Sequence, residues 1–295
     1  MSTVDVTERA RVSAELTPGA AREKWNVRRI VRLAGMAVML IALGVFIVGP
    51  LVTLFLYAFS GKWFFPALLP EMWSLSWWHE ILLNGEIGHS IALSFIFAPV
   101  VTLISAVICL PAAYAFARFE FPGRHAFLIS LFATNAFPKM GLYITMAGLL
   151  YAFGLMDTFW GVVLVQLLNT IVIMTWIPSA AFAAVPRQLE DAARDVGAGP
   201  WTTFWRVTLP LSLPGILVAL ILAFLASLDE AQGTFLVGTP SYITMPVQMY
   251  TLVTNYPQQA AAVFSIVLSI PSFVLLLLVR RYILGGSLAA GFRLH

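Results

Sequence analysis

Long uninterrupted runs of apolar residues limit what this chain can fold into. Six runs are long enough to cross a bilayer, which takes about 20 helical residues. They lie at about 30–58, 89–117, 126–150, 159–183, 211–236 and 259–283. Inside a bilayer every backbone polar group needs a partner within the protein, and runs of this length meet that need as helices. The sequence therefore predicts an all-α membrane protein with six transmembrane helices.

The composition supports a chain that is almost wholly membrane-embedded. Of its 295 residues, 60% are hydrophobic and 11% are charged, and the mean hydropathy is +0.89. Six spans and their loops leave no room for a large soluble domain. We predict a polar N-terminal tail at 1–29, a six-helix domain at 30–284 and a C-terminal tail at 285–295. Any energy source must then be an ion gradient or a partner protein.

The positions of Lys and Arg predict the orientation of the spans. Basic residues precede the first run, follow the second and fourth runs, and close the chain, whereas the alternate loops contain only Lys62. Loops rich in Lys and Arg stay on the cytoplasmic side. Both termini and the loops at 118–125 and 184–210 are therefore predicted to be cytoplasmic.

Several kinds of chemistry find no support in the sequence. Cys109 is the single cysteine, so the chain can form neither an internal disulfide nor a thiolate metal cluster. The four His residues lack metal-ligand spacing, and we assign no metal site. The chain also lacks the phosphate loop of an ATPase. We predict a transport subunit that is not an enzyme and binds no cofactor itself.

A polar segment at 185–210, between the fourth and fifth runs, predicts a short helix. Pro186 can begin it, and Gly197 and Gly199 can end it. Glu190 and Arg194 stand one turn apart and are expected to attract each other. One narrow apolar stripe recurs at helical spacing and contains Leu189, Ala192, Ala193 and Val196.

An acidic, Ala-rich helix held between two spans is suited to a groove on a cytoplasmic partner. The alternative is a helix that rests on lipid headgroups. Such helices usually present several basic residues and bulky apolar anchors, which this one lacks.

The segment resembles the EAA loop of ATP-binding-cassette importer permeases, with the spacing of that motif kept in full. The matching residues are Asp191, Ala192, Ala193, Gly197, Val207, Leu209 and Pro210. Asp191 replaces the usual Glu, with Glu190 beside it, and Val207 replaces the usual Ile. Residues 115–124, 137–164 and 244–246 are also similar to sugar permeases of this family.

The resemblance implies a type I importer permease fold in a bacterial or archaeal inner membrane. It also implies a carbohydrate or carbohydrate derivative as cargo, and four partner subunits: a second permease, two ATPase subunits that bind ATP and Mg²⁺, and an extracytoplasmic binding protein. Glu190 and the seven matching residues would then couple this chain to the ATPase.

Polar residues within the runs are candidates for the transport path, because ionisable groups are costly in a bilayer. The candidates are Lys139, Asp229, Glu230, Gln232, Asn135 and Asn169, with Gln166 and Trp176 as weaker ones. Counting along an unbroken helix puts Lys139 roughly 20 Å deep, near the midplane. Lys139 could pair with Asp229 or Glu230, or it could attract an anionic group on the cargo.

The sequence is also compatible with two other classes of transporter. An ATP-driven permease for polyamines or another small cation would suit the acidic pair, and residues 227–238 resemble such permeases. An ion-coupled secondary transporter would need no ATPase, but it often shows inverted repeats, and we see none.

Overall fold

The computed structural model describes residues 18–63 and 66–284, and helices dominate this part of the chain. The predicted all-α class is confirmed, with one small β-hairpin added. The elements are α1 Pro18–Ala58, β1 Ser60–Lys62, β2 Met72–Trp73, α2 Ser76–Leu83, α3 Gly85–Arg118, α4 Arg124–Ala133, α5 Lys139–Ala152, α6 Phe159–Ala183, α7 Arg187–Asp195, α8 Pro200–Thr203, α9 Leu209–Leu228, α10 Gln232–Gly238, α11 Met245–Asn255 and α12 Gln258–Leu284.

Helix α1 up to Tyr57 is one unit, and the chain from Ala58 onward is a second, compact unit. Helix α1 begins within the segment predicted as the N-terminal tail, and its apolar stretch starts at Val31. The predicted C-terminal tail and residues 1–17 lie outside the described residues.

Five helices in the described part are long and apolar enough to cross a membrane, and a bent pair makes a sixth crossing if it counts as one span. The continuous ones are Val31–Ala58, Gly85–Arg118, Phe159–Ala183, Pro200–Leu228 and Gln258–Leu278.

The third predicted span is not one straight helix. Arg124–Ala136 and Lys139–Ala152 meet at an angle of 103°. Phe137 lies at the break in an extended conformation, with φ −83° and ψ 145°. Pro138 follows it, and proline disfavours helical geometry in the preceding residue. The run predicted at 126–150 is therefore a bent pair of helices rather than one unbroken helix.

The fifth predicted span also has different ends. The helical run starts at Pro200 and stops at Leu228, whereas the prediction was 211–236. Residues 229–231 separate it from the short helix α10. The turn Phe204–Thr208 is wider than an α-helical turn, and the Leu209 N–H bonds the carbonyl of Phe204. Pro210 explains part of this, because it cannot donate a backbone hydrogen bond.

Helices α3, α6 and α9 form the core of the second unit. Phe97 and Val101 of α3 pack with Val162 and Val163 of α6. Small residues let α6 and α9 approach closely: a Cβ on Gly215 would lie 2.6 Å from the Cβ of Ala181. Such small-residue contacts are typical of helix packing in membranes.

Candidate functional site

Helix α7, Arg187–Asp195, lies in the first half of segment 185–210, as the sequence predicts. Its C-terminal end is a Schellman motif, in which the Gly197 N–H donates to Arg194 and the Ala198 N–H donates to Ala193. Gly197 has a φ of +90°, which glycine adopts without strain. Pro186 is the residue before the helix rather than its first residue.

Glu190 is buried, and its partners differ from those predicted. The Arg118 guanidinium at the end of α3 lies 2.7 Å from its carboxylate. The Thr208 hydroxyl, at the base of α9, donates to the same carboxylate oxygen at 2.6 Å. Arg194 does not pair with Glu190 but reaches the exposed Asp191 at 3.3 Å. The predicted attraction between Glu190 and Arg194 is therefore replaced by two other ion pairs.

The predicted apolar stripe on α7 is largely uncovered by the rest of the described chain. Leu189 is 46% exposed and Val196 is 86% exposed. Ala192 is also exposed, and Ala193 is half-buried. Apolar side chains on a helix normally face a core or a partner. Here they form an uncovered face, with the Asp191 carboxylate beside it.

The remaining residues that match the motif lie at the junction of segment 185–210 with α9. Val207 belongs to the wide turn, and Leu209 and Pro210 begin α9. Leu209 packs beside the buried cluster of Ala113, Phe182 and Ile216. The second half of the motif thus joins α9 to α3 and α6.

A second site is a cavity of about 570 Å³ at the bend between α4 and α5, called the bend cavity below. Its volume falls within the roughly 300–1,000 Å³ of small-molecule sites. The lining residues come from α4 and the turn after it, α5, α6, α9 and the residue after α9, and they are Phe132, Asn135, Lys139, Asn169, Val172, Ile173, Trp176, Ile177, Ala226 and Asp229.

The bend cavity contains four of the six predicted path residues: Lys139, Asp229, Asn135 and Asn169. Lys139 is the first residue of α5, exposed at the bend rather than inside a continuous helix. It makes no ion pair with Asp229 or Glu230 in the described part of the chain. The cavity therefore carries one positive and one negative side chain that are not joined.

Glu230 and Gln232 do not line the bend cavity. Glu230 is buried, and its carboxylate accepts the N–H groups of Gly233 and Thr234 at 2.7 and 2.8 Å and the Thr234 hydroxyl. These are the free donors at the start of α10. Gln232 is exposed on the same helix. The structure thus separates the two acidic neighbours: Asp229 faces the cavity, and Glu230 caps a helix.

Two amides in α6 hold neighbouring elements together. Asn169 donates to the Tyr143 hydroxyl of α5 at 2.7 Å. Gln166 donates to Thr234 of α10 and accepts from Ser227 of α9. Asn169 therefore combines a packing contact with a place in the cavity wall, whereas Gln166 is buried in a packing network.

Sequence reasoning missed three contributors to these sites. Phe132 faces Trp176 with ring centroids 5.3 Å apart, which gives the bend cavity an aromatic wall. Arg118 and Thr208 hold Glu190. The sequence shows Arg118 at the end of an apolar run, but residue spacing alone does not predict that it pairs with Glu190.

Comparison with known proteins identifies relatives along most of the chain. Residues 20–285 match the family model described as "Binding-protein-dependent transport system inner membrane component". The "Maltodextrin transport system permease protein MdxG" of Bacillus subtilis (strain 168) is 29% identical over 240 residues, 79% of this chain and 82% of that protein. The "Trehalose transport system permease protein SugB" of Mycobacterium tuberculosis (strain CDC 1551 / Oshkosh) is 33% identical over 210 residues, 70% of this chain and 75% of that protein.

A solved structure shares the fold. It is a chain of a bacterial ABC transporter involved in the import of the acidic polysaccharide alginate, with a TM-score of 0.63 and 21% sequence identity. The match covers 85% of this chain and 96% of that one. At this level of identity the likeness concerns the fold alone.

Proposed function

Because this chain belongs to the family of inner membrane components of binding-protein-dependent transport systems, we propose that it is the permease subunit that carries a carbohydrate in an ATP-driven importer. It is a multi-pass transport subunit and not an enzyme. We infer that it pairs with a second permease and two ATPase subunits, which bind ATP and Mg²⁺, and that it takes its cargo from an extracytoplasmic binding protein.

The observation that carries the proposal is the match of 266 of 295 residues to this family, residues 20–285. The maltodextrin and trehalose permeases among the relatives support a sugar as cargo. The orientation proposed from the Lys and Arg census, with both termini cytoplasmic, puts segment 185–210 on the side where ATPase subunits bind.

The uncovered face of α7 supports a role for segment 185–210 in coupling. A helix with an exposed apolar stripe and an adjacent carboxylate can dock in a groove of a partner protein. Asp191, Ala192 and Ala193 supply this face, and Gly197 fixes the end of the helix. In this proposal Asp191 faces the ATPase subunit, since Glu190 is buried against the spans.

The bend cavity supports a carbohydrate path. Sugars are bound by hydrogen bonds to their hydroxyl groups and by contact of their apolar ring faces with aromatic side chains. Asn135 and Asn169 supply amide groups, and Trp176 with Phe132 supplies aromatic faces. Lys139 and Asp229 have opposite charges, so we propose a cargo without net charge and treat an anionic sugar and a polyamine as competing outcomes.

The path is tested by replacing its aromatic wall in the assembled importer, reconstituted in vesicles with its binding protein. Trp176→Ala should lower the initial rate of sugar uptake roughly tenfold or more, the size of effect that truncating a large aromatic contact can have. Trp160→Ala is the matched control, because Trp160 lies on the same helix, is exposed and does not line the cavity. Equal uptake by the two variants would contradict a path through the bend cavity.

The same vesicles identify the cargo. Uncharged oligosaccharides, their carboxylated analogues and polyamines are each offered with their binding protein, and ATP hydrolysis is recorded with uptake. We expect an uncharged sugar to stimulate ATP hydrolysis and to be taken up. Stimulation by polyamines alone would replace the carbohydrate proposal with the cation permease. The family match leaves an ion-coupled transporter without support.

A further inference from the structure

Helix α7 is attached to the membrane helices through one buried side chain. Of the residues of α7, Glu190 alone is buried, with 4% of its surface exposed. Its neighbours on the helix, including Leu189 and Asp191, face outward. The Glu190 carboxylate is therefore the most deeply buried contact through which a displacement of α7 can reach the rest of the chain, besides the backbone at the two ends of the helix.

The Glu190 carboxylate joins three parts of the chain. Arg118 is the last residue of α3, and Thr208 is the last residue of the wide turn that leads into α9. Their groups lie 2.7 and 2.6 Å from the same carboxylate oxygen. We call these three residues the Glu190 link. They tie α7 to two membrane helices at once.

Arg118 also contacts a fourth part of the chain, the junction between α6 and α7. Its guanidinium also donates to the carbonyl of Val185 at 3.0 Å, just after α6 and before α7. The side chains of Arg118 and Glu190 are only 7% and 5% exposed. Water screens such a buried pair weakly, and removing one partner leaves the other charge uncompensated. The link is therefore a short and stiff connection.

We propose that the Glu190 link transmits the displacement of α7 to α3 and α9, so that Glu190 positions α7 while Asp191 meets the ATPase subunit. The proposal rests on the proposed function, since it needs an ATPase to move α7. Glu190 is then a positioning residue that never touches ATP, the ATPase or the cargo. The wide turn at Phe204–Thr208 lies where the transmitted displacement would enter α9.

The test measures the number of sugar molecules transported per ATP hydrolysed by the assembled importer. Glu190→Gln keeps the shape and removes the charge. Thr208→Val removes the hydroxyl with little change in volume, and Thr208→Ser keeps it. We expect Glu190→Gln and Thr208→Val to lower this ratio at least about fivefold, the lower end of typical coupling between two sites. Thr208→Ser should behave as the unchanged chain does.

Two carboxylates on the same helix are the matched comparisons. Asp195→Asn changes an exposed carboxylate at the end of α7 and should leave the ratio unchanged. Asp191→Asn should weaken retention of the ATPase subunits during purification, whereas Glu190→Gln should retain them. The two variants would thus differ: Asp191→Asn would lose ATPase subunits, and Glu190→Gln would keep them but transport less sugar per ATP.

A purely structural role gives a different pattern. Glu190→Gln and Thr208→Val would then reduce the amount of assembled importer but leave the sugar transported per ATP unchanged, and this result would overturn the inference. If the importer with Glu190→Gln does not assemble, the ratio is measured for Thr208→Val alone. If the unchanged chain itself moves sugar without ATP hydrolysis, the proposed function fails instead, so the two failures are distinguishable.

Discussion

At the residue scale, neighbouring acidic side chains have opposite environments at two places in the chain. Glu190 is buried against Arg118, whereas Asp191 is exposed and reaches Arg194. Asp229 lines the bend cavity, whereas Glu230 caps α10. Adjacent residues on a helix point about 100° apart, so Glu190 can face the protein while Asp191 faces outward. Asp229 and Glu230 instead lie in the break between α9 and α10, where the backbone leaves helical geometry.

The charges in the bend cavity predict how the importer treats a charged cargo. Asp229→Asn should raise the uptake of a carboxylated sugar relative to its uncharged analogue, and Lys139→Met should lower it. A change of at least about fivefold is expected, since even in water a unit charge at 4 Å is worth about 1 kcal/mol. The measurement is the ratio of initial uptake rates for the two sugars.

Lys62→Met is the control for the loss of a positive charge, because Lys62 lies on β1 and does not line the cavity. A strong loss of uncharged sugar uptake in Lys139→Met, with no change in the ratio, would argue against an electrostatic role for Lys139.

At the element scale, the apolar runs predicted most helices, but packing decided how they break and turn. Pro138 indicated a weak point in the third span, and the break lies there. The 103° bend and the cavity beside it depend on how α4 and α5 pack on other helices. The sequence also could not predict that Arg118 pairs with Glu190. The two residues are far apart in the chain, and the apolar runs do not specify which side of each membrane helix faces its neighbours.

The end of α7 gives a prediction with an internal control. Gly197→Ala forces a side chain into a left-handed conformation, φ +90°, and should cost about 1–2 kcal/mol. Gly199→Ala should be tolerated, since Gly199 has a φ of −70° and open space around its Cα. Amide hydrogen exchange across 187–198 in the assembled importer should therefore speed up in Gly197→Ala alone. Equal exchange in the two variants would contradict the role of the Schellman motif.

At the scale of the whole molecule, the second unit combines a closely packed core with a helix face that the described residues leave uncovered. Helices α3, α6 and α9 form this core, and α6 and α9 approach closely at Ala181 and Gly215. Segment 185–210 attaches to this core through the Glu190 link and presents an uncovered face outward. The composition predicted the membrane class, and the motif spacing predicted the segment. The sequence could not identify the cargo, because in the proposed importer the binding protein and the second permease also take part in recognising it.

In the proposed importer, this chain moves a carbohydrate only when partner subunits hydrolyse ATP. The most direct measurement is sugar uptake into vesicles that contain the complete importer, with ATP and loaded binding protein supplied or withheld. We predict uptake that requires both and that stops when the ATPase subunits are omitted. Uptake that continues without them, driven by an ion gradient, would contradict the account.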